Sequence, residues 1–171
     1  MSELFIMRHG QAEDPSAATG WSDRARRLTD VGVQRIQAMI PAMKGLDFVP
    51  DVIVSSPYPR AAETARIVHE GLKIDAPIQL AEELGADRSV LPFFKIQLAA
   101  YLESSERLMV VGHEPILSQL ASLLISGHIN TRIQMKKGAV IHLHCGVFGK
   151  ECRGVLRGMW TSKQLRQVSN A

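Results

Sequence analysis

Three short apolar runs, each closed by a turn signal, constrain the fold of this chain most. They are Leu4-Phe5-Ile6-Met7 ahead of Gly10, Asp51-Val52-Ile53-Val54-Ser55 ahead of Pro57 and Pro59, and Arg107 to Gly112 ahead of Pro115. Continuous apolar runs of this length read as strands covered on both faces, the pattern of a parallel sheet rather than a half-solvated one. The stretches between them carry helical spacing. Thr29 reads as an N-cap, and Ile36, Ile40 and Met43 behind it predict one helix reaching Gly45. Ala61, Ala65, Val68 and Leu72 share the face of a second helix, a third covers roughly Leu91 to Leu102, and His113-Glu114-Pro115 opens a fourth ending near Ser126. Pro77 to Leu80 reads as a short strand, and Gly138 to His144 and Arg153 to Trp160 alternate like two antiparallel strands. This order predicts an α/β fold: a three-layer α/β/α sandwich with a mainly parallel sheet, its strand ends gathered along one edge. With 171 residues, positions 1–171 are expected to form a single domain.

At that edge the sequence collects the parts of a phosphate site. Arg8-His9-Gly10 follows the first strand, Ser55 to Arg60 the second, and His113 the third long one. Open α/β sheets bind ligands at the carboxyl ends of their strands. Phosphoryl transfer needs donors for the phosphate oxygens, and forked arginines supply them in pairs. It also needs a nucleophile that is deprotonated near neutral pH, which imidazole provides. His9 is therefore the candidate nucleophile, Arg8 and Arg60 the candidate clamp, and His113, protonated, a third donor. Glu83 or Asp87 is the candidate acid for the departing group. Two arginines and an imidazolium offset a phosphate dianion, so no metal and no other cofactor is expected.

Leu4-Phe5-Ile6-Met7-Arg8-His9-Gly10-Gln11 resembles the signature of the histidine phosphatase superfamily, which includes the cofactor-dependent phosphoglycerate mutases. Ser55-Ser56-Pro57-Tyr58-Pro59-Arg60-Ala61-Ala62-Glu63-Thr64-Ala65 is similar to its second arginine segment. Val110-Val111-Gly112-His113-Glu114-Pro115 is similar to its second-histidine segment, and Leu28-Thr29-Asp30-Val31-Gly32 to the start of its first helix. Brevity, the Asp23…Arg26-Arg27-Leu28-Thr29 stretch and the lack of a large helical insertion most resemble the small protein phosphohistidine phosphatases of the SixA type. The resemblance implies a phosphoglycerate mutase-like fold, transient phosphorylation of His9, and a phosphate pocket completed by Arg8, Arg60 and His113, with Arg26 approaching the same site. Larger relatives carry their acid in a Leu-x-Glu segment. The nearest match is Leu80-Ala81-Glu82-Glu83-Leu84, which leaves Glu82, Glu83 and Asp87 as alternatives.

The substrate implied is phosphohistidine on a partner protein, such as a phosphotransfer domain or a phosphocarrier. A small phosphoester is the alternative, and a non-catalytic phosphate-binding module a further one. The remaining features are read as background. Hydrophobic residues at 46% and a net charge of +3 suit a globular chain with an anionic ligand and call for no nucleic acid. No apolar run approaches the roughly 18 residues of a membrane span. Met1-Ser2-Glu3 leads into a strand without signal-peptide regions, and two cysteines do not make a disulfide framework, so a reduced, cytoplasmic protein is expected. His142 and His144 share one strand face, but two ligands from one strand make no tetrahedral site. The polar connection from Gln11 to Arg27, with Arg24, Arg26 and Arg27, is long enough to suggest a functional loop. Lys163 to Arg166 reads as a solvated terminus.

Overall fold

Six strands form one sheet in the order β3-β2-β4-β1-β5-β6. They are β1 (Ser2–Arg8), β2 (Val52–Ser55), β3 (Gln79–Leu80), β4 (Arg107–Gly112), β5 (Val140–Phe148) and β6 (Glu151–Trp160). The computed structural model describes residues 1–15, 23–148 and 151–169. Part of the expected Gln11–Arg27 loop, residues 16–22, lies outside the described residues. β3, β2, β4 and β1 run parallel, and β5 and β6 are antiparallel additions on the β1 side. The mainly parallel α/β/α expectation holds.

Alternation along β1 shows how the sandwich is assembled. Leu4 and Ile6 point into one apolar cluster with Val54, Leu108 and Val110, whereas Phe5 and Met7 point into the other with Ile53, Met109 and Val111. The first cluster is capped by helical turns from Val90 to Ser104 and by a helix over Ile116–Ser126. The second is capped by α1 (Asp30–Gln37), α2 (Ile40–Gly45), α3 (Pro59–Leu72) and a C-terminal helix over Ser162–Val168. The turns from Val90 to Ser104 comprise α4 (Val90–Pro92), a π-helical turn Phe93–Gln97 and α5 (Leu98–Ser104); α6 and α7 denote the later two helices. Because strand side chains alternate faces, each central strand serves both clusters. Burying a leucine- or phenylalanine-sized side chain contributes about 1.5–3 kcal/mol.

Two local expectations needed correction. The helix expected from Thr29 to Gly45 is broken into α1 and α2. Pro41 stands at the start of α2, and without an N–H it cannot continue the helical ladder from α1. The segment read as a solvated tail is α7, with Leu165 fully buried against the second cluster. Thr161 and Gln164 form a reciprocal capping box at its start, a signal present in the sequence. Cys145 and Cys152 are free and buried. No helix among the described residues is long and apolar enough to cross a membrane.

Candidate active site

The parallel register places the ends of three strands level with one another. Arg8 pairs with Gly112, and Ser55 with Val111. The ladder then runs one step further, as the His9 N–H donates to the Gly112 carbonyl at 3.0 Å and the Ser56 N–H to the Val111 carbonyl at 2.9 Å. His9, Ser56 and His113 thus leave the sheet together. The His9 and His113 rings lie 5.1 Å apart, and His113 Nε2 is 2.9 Å from Ser56 Oγ.

His9 Nδ1 lies 2.7 Å from the Gly10 carbonyl oxygen, which can only accept, so the proton sits on Nδ1 and the Nε2 lone pair is free. Gly10 is held in turn, since its N–H donates to Thr64 Oγ1 at 3.1 Å and that hydroxyl donates to the Arg60 carbonyl at 2.7 Å. Thr64 therefore couples the turn after His9 to the first turn of α3. The loop beyond is fixed by α1. A Cβ on Gly32 would fall 2.1 Å from the Gln11 carbonyl oxygen, so the close approach requires glycine.

Arg60 is 2% exposed although it is an arginine. Its Nη1 donates to the Asp23 carbonyl at 2.6 Å and its Nη2 to Asp23 Oδ2 at 3.0 Å. Arg8 Nη1 donates to the Met135 carbonyl at 2.7 Å. Burial lowers both guanidinium pKa values, opposed by Glu114 at Arg8 and by Asp23 at Arg60, and both remain cations. The imidazoles respond more strongly. Burial pushes His9 down to about 3, and the charges of Arg60, Arg8 and Lys137 add to the effect against the Gly10 hydrogen bond. His113 is pushed down to about 3 by burial, then by His9, Arg60 and Arg8, with Asp23 opposing. Burial thus favours the neutral form of His113 over the imidazolium expected for it. A phosphate dianion would oppose the cations that depress it.

Buried polar atoms are ordinarily hydrogen-bonded. Among the described residues four side-chain atoms are not: Arg8 Nε, Arg60 Nε, His113 Nδ1 and Arg166 Nε. Three of the four surround His9.

The carboxyl candidates behave differently from the cations. Glu82 pairs with Arg24 at 3.0 Å, and Arg24 lies over the Tyr58 ring at 4.7 Å. Asp87 accepts the Tyr58 hydroxyl, and that hydrogen bond holds its carboxyl below the usual range. Tyr58 packs on His113 with centroids 5.1 Å apart. Among the described residues the Glu83 side chain has no hydrogen bond or ion pair; the group that feels its charge is the Tyr101 phenol on α5. Arg8, His9, Arg60 and His113 are brought together; among the described residues no hydrogen bond or ion pair joins the Glu83 side chain to them. Arg26 reaches the cluster indirectly, since it donates to Asp23 Oδ1 and to the Glu13 carbonyl. Asp23, Ser56, Tyr58 and Thr64 are the site-lining residues that the motifs alone did not single out. Burial works against the Asp23 charge, but the Arg26 hydrogen bond and the Arg60 charge together hold its carboxyl low. His142 and His144 face Glu3 on β1, and the described residues hold no cluster of three metal-ligating side chains.

Residues 4–85 match the model of the histidine phosphatase superfamily (branch 1). An uncharacterized protein of Picosynechococcus sp. is 30% identical over 145 residues, covering 84% of this chain and 86% of that one. The chain belongs to the histidine phosphatase superfamily. Phosphohistidine phosphatase SixA of Escherichia coli is 28% identical over 125 residues, covering 73% of this chain and 75% of that one. The solved structure of the protein histidine phosphatase SixA complexed with tungstate superposes with a TM-score of 0.79 at 25% identity, covering 95% of this chain and 99% of that chain. The SixA-type, phosphoglycerate mutase-like fold is thus shared over nearly the whole length.

Proposed function

We propose that this protein is a metal-independent phosphatase that passes the phosphoryl group through His9, and that its substrate is phosphohistidine on a partner protein. The observation that carries the mechanism is the hydrogen bond to the Gly10 carbonyl, which leaves the Nε2 lone pair of a neutral His9 beside Arg8, Arg60 and His113. His9 Nε2 attacks phosphorus as the bond between phosphorus and the substrate's imidazole nitrogen breaks, and the substrate ring, carrying a proton on its other nitrogen, leaves as neutral imidazole. The guanidinium groups of Arg8 and Arg60 take the charge that gathers on the equatorial oxygens. Water then attacks the His9 phosphoramidate, releasing inorganic phosphate and restoring the imidazole.

The leaving group favours phosphohistidine. A departing imidazole is far less basic than an alkoxide and needs less help from an acid. Among the described residues neither Glu82, Glu83 nor Asp87 hydrogen-bonds to His9 or His113, and Asp87 is held ionised by Tyr58. The relatives named as phosphohistidine phosphatases support the same substrate.

Phosphate release from a phosphohistidine-bearing phosphotransfer domain and from a panel of small phosphoesters, with EDTA present, tests the reading. The wild type should release phosphate fastest from the phosphoprotein, and His9→Ala should release none while still binding phosphate. A preference for one ester would move the substrate to small molecules; turnover by His9→Ala would remove His9 as the nucleophile, and loss of activity in EDTA would overturn metal independence.

A further inference from the structure

A second concave surface adjoins His9 on the side of α1 and α7. It is a groove of about 250 Å³ with Gly10, Ile36 and Gly138 among its lining residues. Gly138 joins it to the site, because its N–H is shared by the carbonyls of Arg8 at 3.1 Å and His9 at 3.0 Å. Gly138 has φ of 73°, and a Cβ there would lie 3.1 Å from Ser162 Cβ, so the 136–138 segment and the start of α7 are in close contact.

The walls carry Arg35, Lys136, Lys137, Lys163 and Arg166, and among the described residues no carboxylate lines the groove. None of the five cations forms an ion pair among the described residues. The contrast with the 24–27 segment is direct, where Arg24, Arg26 and Arg27 are paired with Glu82, Asp23 and Glu63. Five cations without an ion-pair partner around one concavity give it a positive lining. Like charges facing one concavity repel each other, and an anion between them removes that cost. Arg166 Nε, among the described residues the one buried unpartnered side-chain atom away from His9, belongs to the same wall. The field also reaches the nucleophile, since Lys137 is among the charges acting on His9.

We infer that this groove docks carboxylates of the partner protein, so that the substrate is a phosphohistidine with an acidic cluster within roughly 10 Å of it, about the reach of an exposed charge at moderate salt. The inference rests on the phosphoprotein reading given above. Lys136, Lys137 and Lys163 are exposed, and ammonium groups on flexible stems accept scattered carboxylates without demanding one geometry. Such exposed charge orients and steers a macromolecule rather than enclosing a free ion.

The test compares Lys136→Glu and Lys163→Glu, on two separate segments, with the wild type. The readout is the ratio of kcat/KM for a phosphohistidine-bearing phosphotransfer domain with an acidic face to kcat/KM for p-nitrophenyl phosphate. Each variant should lower the ratio by about tenfold or more, through KM, and flatten its dependence on salt. Ester turnover reports that the variants are folded. If the wild type hydrolyses the phosphoprotein and both variants keep its ratio, the groove assignment alone falls. If the wild type hydrolyses only esters, the phosphoprotein substrate falls and its docking site with it. A loss shared equally by both substrates would also overturn the inference, because it would place the lysines in the chemistry rather than in docking.

Discussion

One carbonyl oxygen decides which nitrogen of His9 keeps a free lone pair. The Gly10 carbonyl fixes the proton on Nδ1, and Gly10 is itself fixed by Thr64 on α3. Arg60 shows the same dependence on neighbours. A nearly fully buried guanidinium is tolerable because Asp23 supplies both a carbonyl and a carboxylate oxygen to it. The fork therefore matters as much as the charge. Arg60→Lys should keep the charge, lose the paired donors, and lower kcat/KM by roughly 10²-fold, the scale of one transition-state donor. Steady-state kinetics on a phosphohistidine substrate measures it, and a variant within threefold of the wild type would place Arg60 outside the transition-state contacts. Glu83 illustrates the opposite case: its neighbourhood in sequence suggested an acid, and its electrostatic neighbour is Tyr101.

At the scale of elements, the site is held from outside by helices. α1 fixes the Gln11 turn through Gly32 and the Thr29 cap, whose N–H donates to the Gln11 carbonyl at 3.0 Å. α3 fixes Gly10 through Thr64. α7 closes the second apolar cluster with Leu165, and its last turn reaches α2 where Ser169 Oγ accepts the Ala42 N–H at 3.0 Å. Leu165→Ala should cost about 2–3 kcal/mol, the lower part of the range for a buried leucine, since a peripheral helix can settle into the space. Urea unfolding should show a lower midpoint with an unchanged slope. A loss under about 0.5 kcal/mol, the level of surface substitutions, would mean that α7 does not share in the cooperative core. The strands and α3 were legible as periodic runs because their apolar spacing is local. The α1–α2 break and α7 were legible too, through Pro41 and the Thr161–Gln164 capping box, but these signals are single residues beside a stronger pattern.

For the whole molecule, the two buried imidazoles make stability depend on pH. His9 and His113 titrate near 3 when folded and near 6.5 in an ordinary environment. Between those values the unfolded chain binds more protons than the folded one. Stability from this source is therefore complete above about pH 6.5 and is lost as pH falls towards 3. The wild type should lose stability from pH 7 to pH 4, and His113→Gln should weaken that dependence by up to about one proton taken up on unfolding. Thermal unfolding across this range tests it; an unchanged slope in the variant would mean that His113 is not held neutral by burial.

The sequence by itself determined the strand runs, the α/β order and the residues that stand where those strands end. Period, proline and glycine act on near neighbours, so Arg8, His9, Arg60 and His113 could be named from their segments. The tertiary structure alone decided what those residues experience. It set the separation of 5.1 Å between the two imidazoles, the Asp23 carboxylate on Arg60, the action of the Glu83 charge on Tyr101 and the gathering of Arg35, Lys136, Lys137, Lys163 and Arg166 around one groove. Each of these joins segments far apart in the chain. Their charges act through space and through burial, and neither distance nor burial is written in local spacing.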